Sequence, residues 1–122
     1  MKVYIAGNPN DSYRLIKNFM ADLVRAGYDV FDWVTDFHNE KEKVCRPQVA
    51  IDEVQAVRDS DALVLFDSRV GYGMYVELGV ALGLKKKVIV VAPYYQQIFY
   101  SHPGVVCVRD AASAFKLLEQ WK

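Results

Sequence analysis

The sequence has few of the residues that build metal centres or disulfide frameworks. Among its 122 residues only two are cysteine and two are histidine. Cys45 and Cys107 are far apart and have no ligand cluster nearby, a pattern that argues against both a disulfide scaffold and a zinc site. We therefore expect reduced thiols in a cytoplasmic protein, and no metal.

The sequence also lacks a charge excess and a long apolar run. Fifteen basic and fifteen acidic residues balance to a formal net charge of zero, which argues against a nucleic acid or an anionic membrane surface as partner. No apolar run reaches the roughly 18 residues that cross a bilayer. Hydrophobic residues make up 52% of the chain, so we expect one globular domain, residues 1–122, with a core of its own.

Short apolar runs alternate with segments of helical periodicity. Because these runs are continuous rather than alternating, both faces of the sheet should be covered, which is typical of parallel sheets. The pattern predicts an α/β fold, a flavodoxin-like (Rossmann-like) doubly wound five-stranded parallel sheet of order 2-1-3-4-5. The predicted strands are Lys2–Ala6, Tyr28–Trp33, Asp61–Phe66, Lys87–Ala92 and Val105–Val108.

Four helices are predicted between and after these strands. The first should be capped by Asp11 or Ser12 and end at Gly27. The second should open at Pro47, after a polar segment that forms a loop or lid, and should bury a stripe of apolar residues. That stripe comprises Ala50, Ile51, Val54 and Val57. The third and fourth helices are expected at about Gly73–Leu84 and Ala111–Trp121.

Glu77 is the only charged residue between Gly71 and Leu84. In a doubly wound sheet, ligands bind at the carboxyl ends of the strands where the strand order reverses, here between strands one and three. Glu77 follows strand three and so points towards that crevice. It is a candidate nucleophile for a sugar carbon or an acid–base group in apolar surroundings; the alternative is a glutamate favoured by the helix dipole.

Gly71 and Gly73 leave room for a ligand to approach the backbone just before the third helix. This loop is not a P-loop, because no Gly-Lys-Ser/Thr follows it. The segment after strand one lacks the spacing of a dinucleotide fingerprint.

Several segments resemble the nucleoside 2-deoxyribosyltransferase superfamily, which includes the deoxynucleoside 5'-monophosphate N-glycosidases. They are "MKVYIAG" at the start, "DSDALVLFD" at 59–67, Gly73-x-x-x-Glu77-x-Gly79-x-Ala81 and the following "KKKVIVV". The resemblance covers nearly the whole chain. Its most specific part is the motif around Glu77.

The resemblance implies that Glu77 attacks C1' of a deoxyribose and displaces the base, after which a second base or water releases the sugar. It implies no metal or organic cofactor. Tyr4 matches the first-strand tyrosine that orients the nucleophile. Glu53 falls where the family has a sugar-contacting aspartate, and the adjacent Asp52 is the alternative.

The chain departs from the family before the motif. Members often have Asp-x-Gly-Thr there, whereas this chain has Gly71-Tyr72-Gly73-Met74. The aspartate that handles the base in the transferases is absent, and Gly71 replaces a serine of the monophosphate hydrolases. The sequence therefore leaves alternatives for the identity of the base, for the presence of a 5'-phosphate and for water or a second base as acceptor.

The remaining candidate residues surround the predicted crevice. Trp33 is expected to stack on a base or to lie in the core, while Asn8 and Ser12 near the first helix are placed to hold a 5'-hydroxyl or phosphate. Gly7, Gly71, Gly73 and Met74 complete the predicted substrate site.

The expected partner is a small nucleoside or nucleotide. The third helix is apolar on nearly every face, which favours a homodimer or higher homo-oligomer. Two alternatives remain: an NAD-type nucleotide glycohydrolase, since Toll/interleukin-receptor-like domains share this layout, and a nucleotide-binding module without chemistry.

Overall fold

A computed structural model describes residues 1–33, 46–68, 73–93 and 97–122. Its five strands form one parallel sheet of order β2-β1-β3-β4-β5, which confirms the predicted α/β architecture. The strands are β1 Lys2–Ala6, β2 Asp29–Val30, β3 Ala62–Phe66, β4 Lys87–Val91 and β5 Val105–Val108.

Helices connect these strands on both faces of the sheet, as parallel pairing requires. They are α1 Pro9–Arg25, α2 Arg46–Asp59, α3 Gly73–Gly83 and α4 Ala111–Trp121, with a 3₁₀ helix at Ile98–Ser101. No helix formed by the described residues is long and apolar enough to span a membrane.

The core lies on β1, β3 and β4, whose side chains are almost wholly buried. Tyr4 pairs with Leu63 across β1 and β3, and both side chains are buried. Phe66 closes the carboxyl end of β3 with an edge-to-face contact to Phe19 of α1. The neighbouring strands β1 and β3 are therefore fixed by packing, and their carboxyl ends are held side by side.

The predicted cap of α1 is wrong. Asn8 is the N-cap, and its side-chain oxygen accepts a 2.9 Å hydrogen bond from the Asn10 amide. Pro9 takes the first helical position, where its missing N–H is not needed. Asp11 lies in the first turn, and Ser12 has non-helical dihedral angles of φ −122° and ψ 19°. The predicted end is correct, because Gly27, with φ +90°, follows the helix.

The second strand is much shorter than predicted. It pairs with β1 only at Asp29 and Val30. Beyond Val30 a side chain takes the place of a backbone partner for β1. The Trp33 indole N–H donates a 2.6 Å hydrogen bond to the Ile5 carbonyl. The aromatic residues after Val30 carry strand propensity but pack as side chains around the end of β1, where Phe31 stacks on Tyr4 at 6.1 Å between ring centroids.

The predicted apolar stripe of α2 is also partly wrong. Ala50 and Ile51 are exposed, whereas Ala56 and Val57 are buried. Glu53 is half-buried on the inward side, one turn before Ala56 and Val57. This rotation turns the Glu53 carboxylate towards the end of β1.

Candidate active site

A pocket of about 250 Å³ opens where β1 and β3 end, at the switch point of the sheet. Its residues are far apart in sequence. They come from the loop after β1, from the segment after β2, and from α1, α2 and α3. The described residues that line it are Gly7, Asn8, Pro9, Asn10, Trp33, Glu53, Gly73, Met74 and Glu77.

Glu77 is a buried carboxyl group, with only 7% of its surface exposed. It is the fifth residue of α3, beyond the first turn, so the helix dipole has little effect on it. Met74, Leu78 and Ala81 are buried on the same helix. Burying a carboxyl in such surroundings costs free energy. The alternative that Glu77 is simply a surface glutamate favoured by the helix dipole does not explain this burial.

Tyr4 provides the hydrogen bond that Glu77 accepts. The phenol, in the middle of β1, donates to Oε2 of Glu77. Burial and the nearby Glu77 and Glu53 carboxyls raise the pKa of Tyr4, so the phenol stays protonated and acts as a donor rather than as a base. The Tyr4 side chain is fully buried and its ring stacks on Phe31, which fixes the direction of the hydrogen bond.

The electrostatics of the pocket favour the protonated form of Glu77. Burial raises the pKa of Glu77 to about 8, against the lowering effect of the Tyr4 hydrogen bond and with a further rise from Glu53. Burial also raises the pKa of Glu53. The pocket thus holds two carboxyls whose ionised forms are disfavoured by burial.

Of the two adjacent carboxylates Asp52 and Glu53 on α2, Glu53 lines the pocket. Asp52 is exposed and accepts a 2.8 Å hydrogen bond from Gln48 along its own helix. Glu53 and Asp52 are adjacent, so a helix separates their side chains by about 100°. Only Glu53 is directed towards Glu77.

Trp33 lines the pocket, and only 8% of its surface is exposed. Its N–H is used by the Ile5 carbonyl, which fixes the plane of the indole. The ring is therefore a preset apolar surface against which a flat ligand can pack.

The amino end of α1 and the loop before it also line the pocket. Gly7 lies where a Cβ atom would come within 2.6 Å of Cδ1 of the buried Ile16, so a larger residue here would displace the helix or its core contact. Asn8, Pro9 and Asn10 then line the pocket. Sequence reasoning missed Pro9 and Asn10, although Asn-Pro after a strand is itself a capping signal.

The other predicted site residues fall into two groups. Gly73 and Met74, the first residues of α3, line the pocket. Ser12 is half-buried in α1 and is not among the described lining residues. Gly71 lies outside the described residues. Within the described ranges, no group of three or more His, Cys, Asp or Glu side chains is placed to hold a metal ion.

Two side-chain contacts hold the carboxyl end of β3 beside the pocket. The Tyr100 hydroxyl donates a 2.6 Å hydrogen bond to Asp67, which ties the 3₁₀ helix to the residue after β3. The buried Ser68 hydroxyl donates to Asp11, which ties β3 to the first turn of α1. These contacts fix the residues after β3 relative to the 3₁₀ helix and to α1.

Comparison with solved structures identifies the fold. The CMP N-glycosidase BcmB of Clostridium botulinum is similar at a TM-score of 0.71 and 17% identity, over 100% of both chains. A 2-deoxyribosyltransferase of Bacillus psychrosaccharolyticus is similar at a TM-score of 0.68 and 20% identity, over 93% of this chain and 90% of that one. The chain has the nucleoside deoxyribosyltransferase fold.

The same fold also occurs in a receptor domain. The TIR domain of the Toll-related receptor TRR-2 of Hydra magnipapillata is similar at a TM-score of 0.61 and 17% identity, over 98% of this chain and 93% of that one. No family model and no curated protein matches the sequence. At these identities the likeness establishes the fold, and an argument about function depends on the pocket.

Proposed function

We propose that this protein cleaves or transfers the N-glycosidic bond of a (deoxy)nucleoside or nucleotide through a covalent glycosyl-enzyme on Glu77. The observation that supports this most is the buried Glu77 carboxyl, which lines the pocket and accepts a hydrogen bond from Tyr4. Burying a carboxyl in a pocket is unfavourable for stability alone. A nucleophile, in contrast, needs this poorly solvated position and a fixed direction.

The proposed reaction has two steps. In the first, an ionised Glu77 oxygen forms an ester bond to C1' while the C1'–N bond breaks and its electron pair leaves with the base. In the second, water attacks C1' and frees the carboxylate; its hydroxyl stays on the sugar and its proton balances the departed base. A second base in place of water gives transfer instead of hydrolysis.

The other pocket residues take supporting roles. Tyr4 aims the Glu77 oxygen and stabilises its negative charge before attack and after release. Glu53, which also lines the pocket, binds a sugar hydroxyl, so that C1' faces Glu77. Trp33 packs against the base, since its fixed indole is the largest flat apolar surface among the described lining residues.

Glycosyl-bond cleavage of a larger nucleotide such as NAD is the second enzymatic candidate, and the likeness to a TIR domain is the observation that favours it. The pocket of about 250 Å³ lies below the range of about 300 to 1,000 Å³ that is common for ligand sites, which argues against a ligand as large as a dinucleotide. A binding module without turnover is the remaining candidate.

The direct test is a panel of nucleosides, nucleotides and NAD, with free base or nicotinamide measured by chromatography, with and without a second base. We expect release of a base by the wild type and loss of about three orders of magnitude or more in Glu77→Gln. Glu119→Gln, which removes a surface carboxylate from α4, is the matched control. Circular dichroism checks that both variants fold. Equal turnover by Glu77→Gln and the wild type would refute the mechanism, and ligand binding without any turnover would favour the binding module.

A further inference from the structure

The amino end of α1 lines the same pocket as Glu77. Helix amino ends commonly bind phosphate, because their first N–H groups lack partners within the helix. Here most of those donors are already used. Pro9 has no N–H, the Asn10 N–H donates to the Asn8 side chain at 2.9 Å, and the Ser12 N–H donates to the Asn8 carbonyl at 3.0 Å.

The first turn of α1 also carries a negative charge. Asp11 is the acidic residue of that turn, and its carboxylate accepts a hydrogen bond from Ser68 at the end of β3. The Ser68 hydroxyl is thus directed at Asp11, and the carboxylate is tied to the residues that follow β3. Asp11 directly follows Asn10, the last α1 residue that lines the pocket, so a phosphate bound at this helix end would be repelled by the Asp11 charge.

The amino end of α3, the other helix that begins at the pocket, is also unfavourable for a phosphate. Gly73 opens α3, and Glu77 follows one turn later; it must be ionised to attack the sugar. Glu53 adds a second carboxyl. Among the described residues that line the pocket there is no lysine or arginine to compensate a phosphate dianion.

We propose that the site takes a nucleoside with a free 5'-hydroxyl in preference to its 5'-monophosphate, and that Asp11 is a specificity-determining residue that excludes the phosphate. This inference rests on the proposed function, because it assumes that C1' of the substrate faces Glu77. A neutral hydroxyl needs one donor or acceptor, which the Asn8 and Asn10 amides supply, whereas a phosphate needs several donors and a positive charge.

The test compares kcat/KM for each of the four common 2'-deoxynucleosides with that for its 5'-monophosphate. We expect the wild type to favour the nucleoside by about tenfold or more, the scale of one like-charge contact. Asp11→Asn keeps an acceptor for Ser68 and removes the charge, so it should raise kcat/KM for the monophosphate and narrow the ratio several-fold. The ratio of the wild type should also narrow in about 1 M salt, where charges are screened within about 3 Å.

Asp59→Asn is the matched control. Asp59 is the last residue of α2 and lies near the amino end of β3, whereas the pocket lies at the carboxyl ends of the strands. Its carboxylate accepts a 2.9 Å hydrogen bond from the side-chain amide of Gln55. Its removal should leave the ratio unchanged. Equal or faster turnover of the monophosphate, or an unchanged ratio in Asp11→Asn, would overturn the inference while leaving the proposed function intact.

If neither substrate is turned over, the proposed function fails and binding still decides the inference. Thermal unfolding of the wild type is then measured with each nucleoside and each monophosphate at equal concentration. A rise in Tm with a nucleoside alone supports the exclusion of phosphate. A larger rise with the monophosphate, or no rise with any nucleoside, contradicts it.

Discussion

Tyr4 and Glu77 are 73 positions apart in sequence, and the phenol of the first donates a buried hydrogen bond to the carboxyl of the second. The inner strand β1 supplies the donor, and α3 supplies the acceptor. Because Tyr4 is fully buried and Glu77 is 7% exposed, this contact is shielded from solvent. Its chemistry leads to the first two predictions.

The activity should depend on pH through Glu77. The nucleophile must be ionised, and its pKa is raised to about 8 by burial, so kcat/KM should increase with pH and level off above about pH 8. Tyr4→Phe removes a hydrogen bond that lowers the pKa of Glu77, so this variant should reach its plateau at higher pH and with a lower maximum.

The control for Tyr4→Phe is Tyr28→Phe. The Tyr28 ring lies at the amino end of β2, against Phe115, and loss of its hydroxyl should leave the pH profile unchanged. A Tyr4→Phe profile with the wild-type midpoint would show that this hydrogen bond does not control the ionisation of Glu77.

The stability of the fold should depend on the same ionisation. The native state holds the Glu77 proton up to about pH 8, while the unfolded chain releases it near the ordinary value of 4.5. The contribution of Glu77 is therefore fully present below pH 4.5 and is lost as pH rises through 8, because the unfolded state binds fewer protons in this window. The loss amounts to about 3 to 5 kcal/mol.

Glu77→Gln should remove this dependence. Denaturant unfolding of the variant and the wild type at pH 5, 6.5, 8 and 9 should show the variant gaining in relative stability up to about pH 8 and no further. Glu119→Gln serves as the control for a carboxylate lost from the surface. A stability difference between Glu77→Gln and the wild type that is constant across this range would contradict a raised pKa.

The exposed face of α3 should mediate self-association. Glu77 is its only charged residue and is buried, while Val76 is 59% exposed and the neighbouring Phe99 is 58% exposed. Sedimentation velocity at micromolar concentration should show a homodimer or larger assembly. Val76→Lys should shift it to the monomer.

Val24→Lys is a closely matched control for the self-association test. Val24 is also 59% exposed but lies on α1, and the same change there should leave the assembly in place. A wild-type protein that sediments as a monomer, or equal effects of the two substitutions, would contradict an interface on α3.

Local sequence patterns sufficed for most of the architecture. The order of strands and helices follows from continuous apolar runs and helical periodicity, because these patterns reflect which faces of each element are buried. The isolated position of Glu77 in an apolar helix was visible for the same reason. Gly27 marked the end of α1, since a positive φ is easy only for glycine.

The departures from prediction arise where local patterns compete. Asn8, Asp11 and Ser12 are all good N-caps, and Pro9 at the first helical position decides for Asn8. Strand propensity continues from Tyr28 to Trp33, yet the pairing stops at Val30 because the Trp33 indole takes the Ile5 carbonyl. Both outcomes depend on contacts that a window of a few residues does not contain.

The sequence by itself therefore determined the parallel sheet, its strand order and Glu77 as the unusual carboxyl at the switch point, since each of these follows from local periodicity and from general rules of chain topology. Only the tertiary structure decided that Tyr4 donates to Glu77, that Glu53 rather than Asp52 enters the pocket, and that Asp11 is tied to Ser68 beside it. Those relationships join distant segments, and their geometry depends on how helices rotate and settle on the sheet when the core packs.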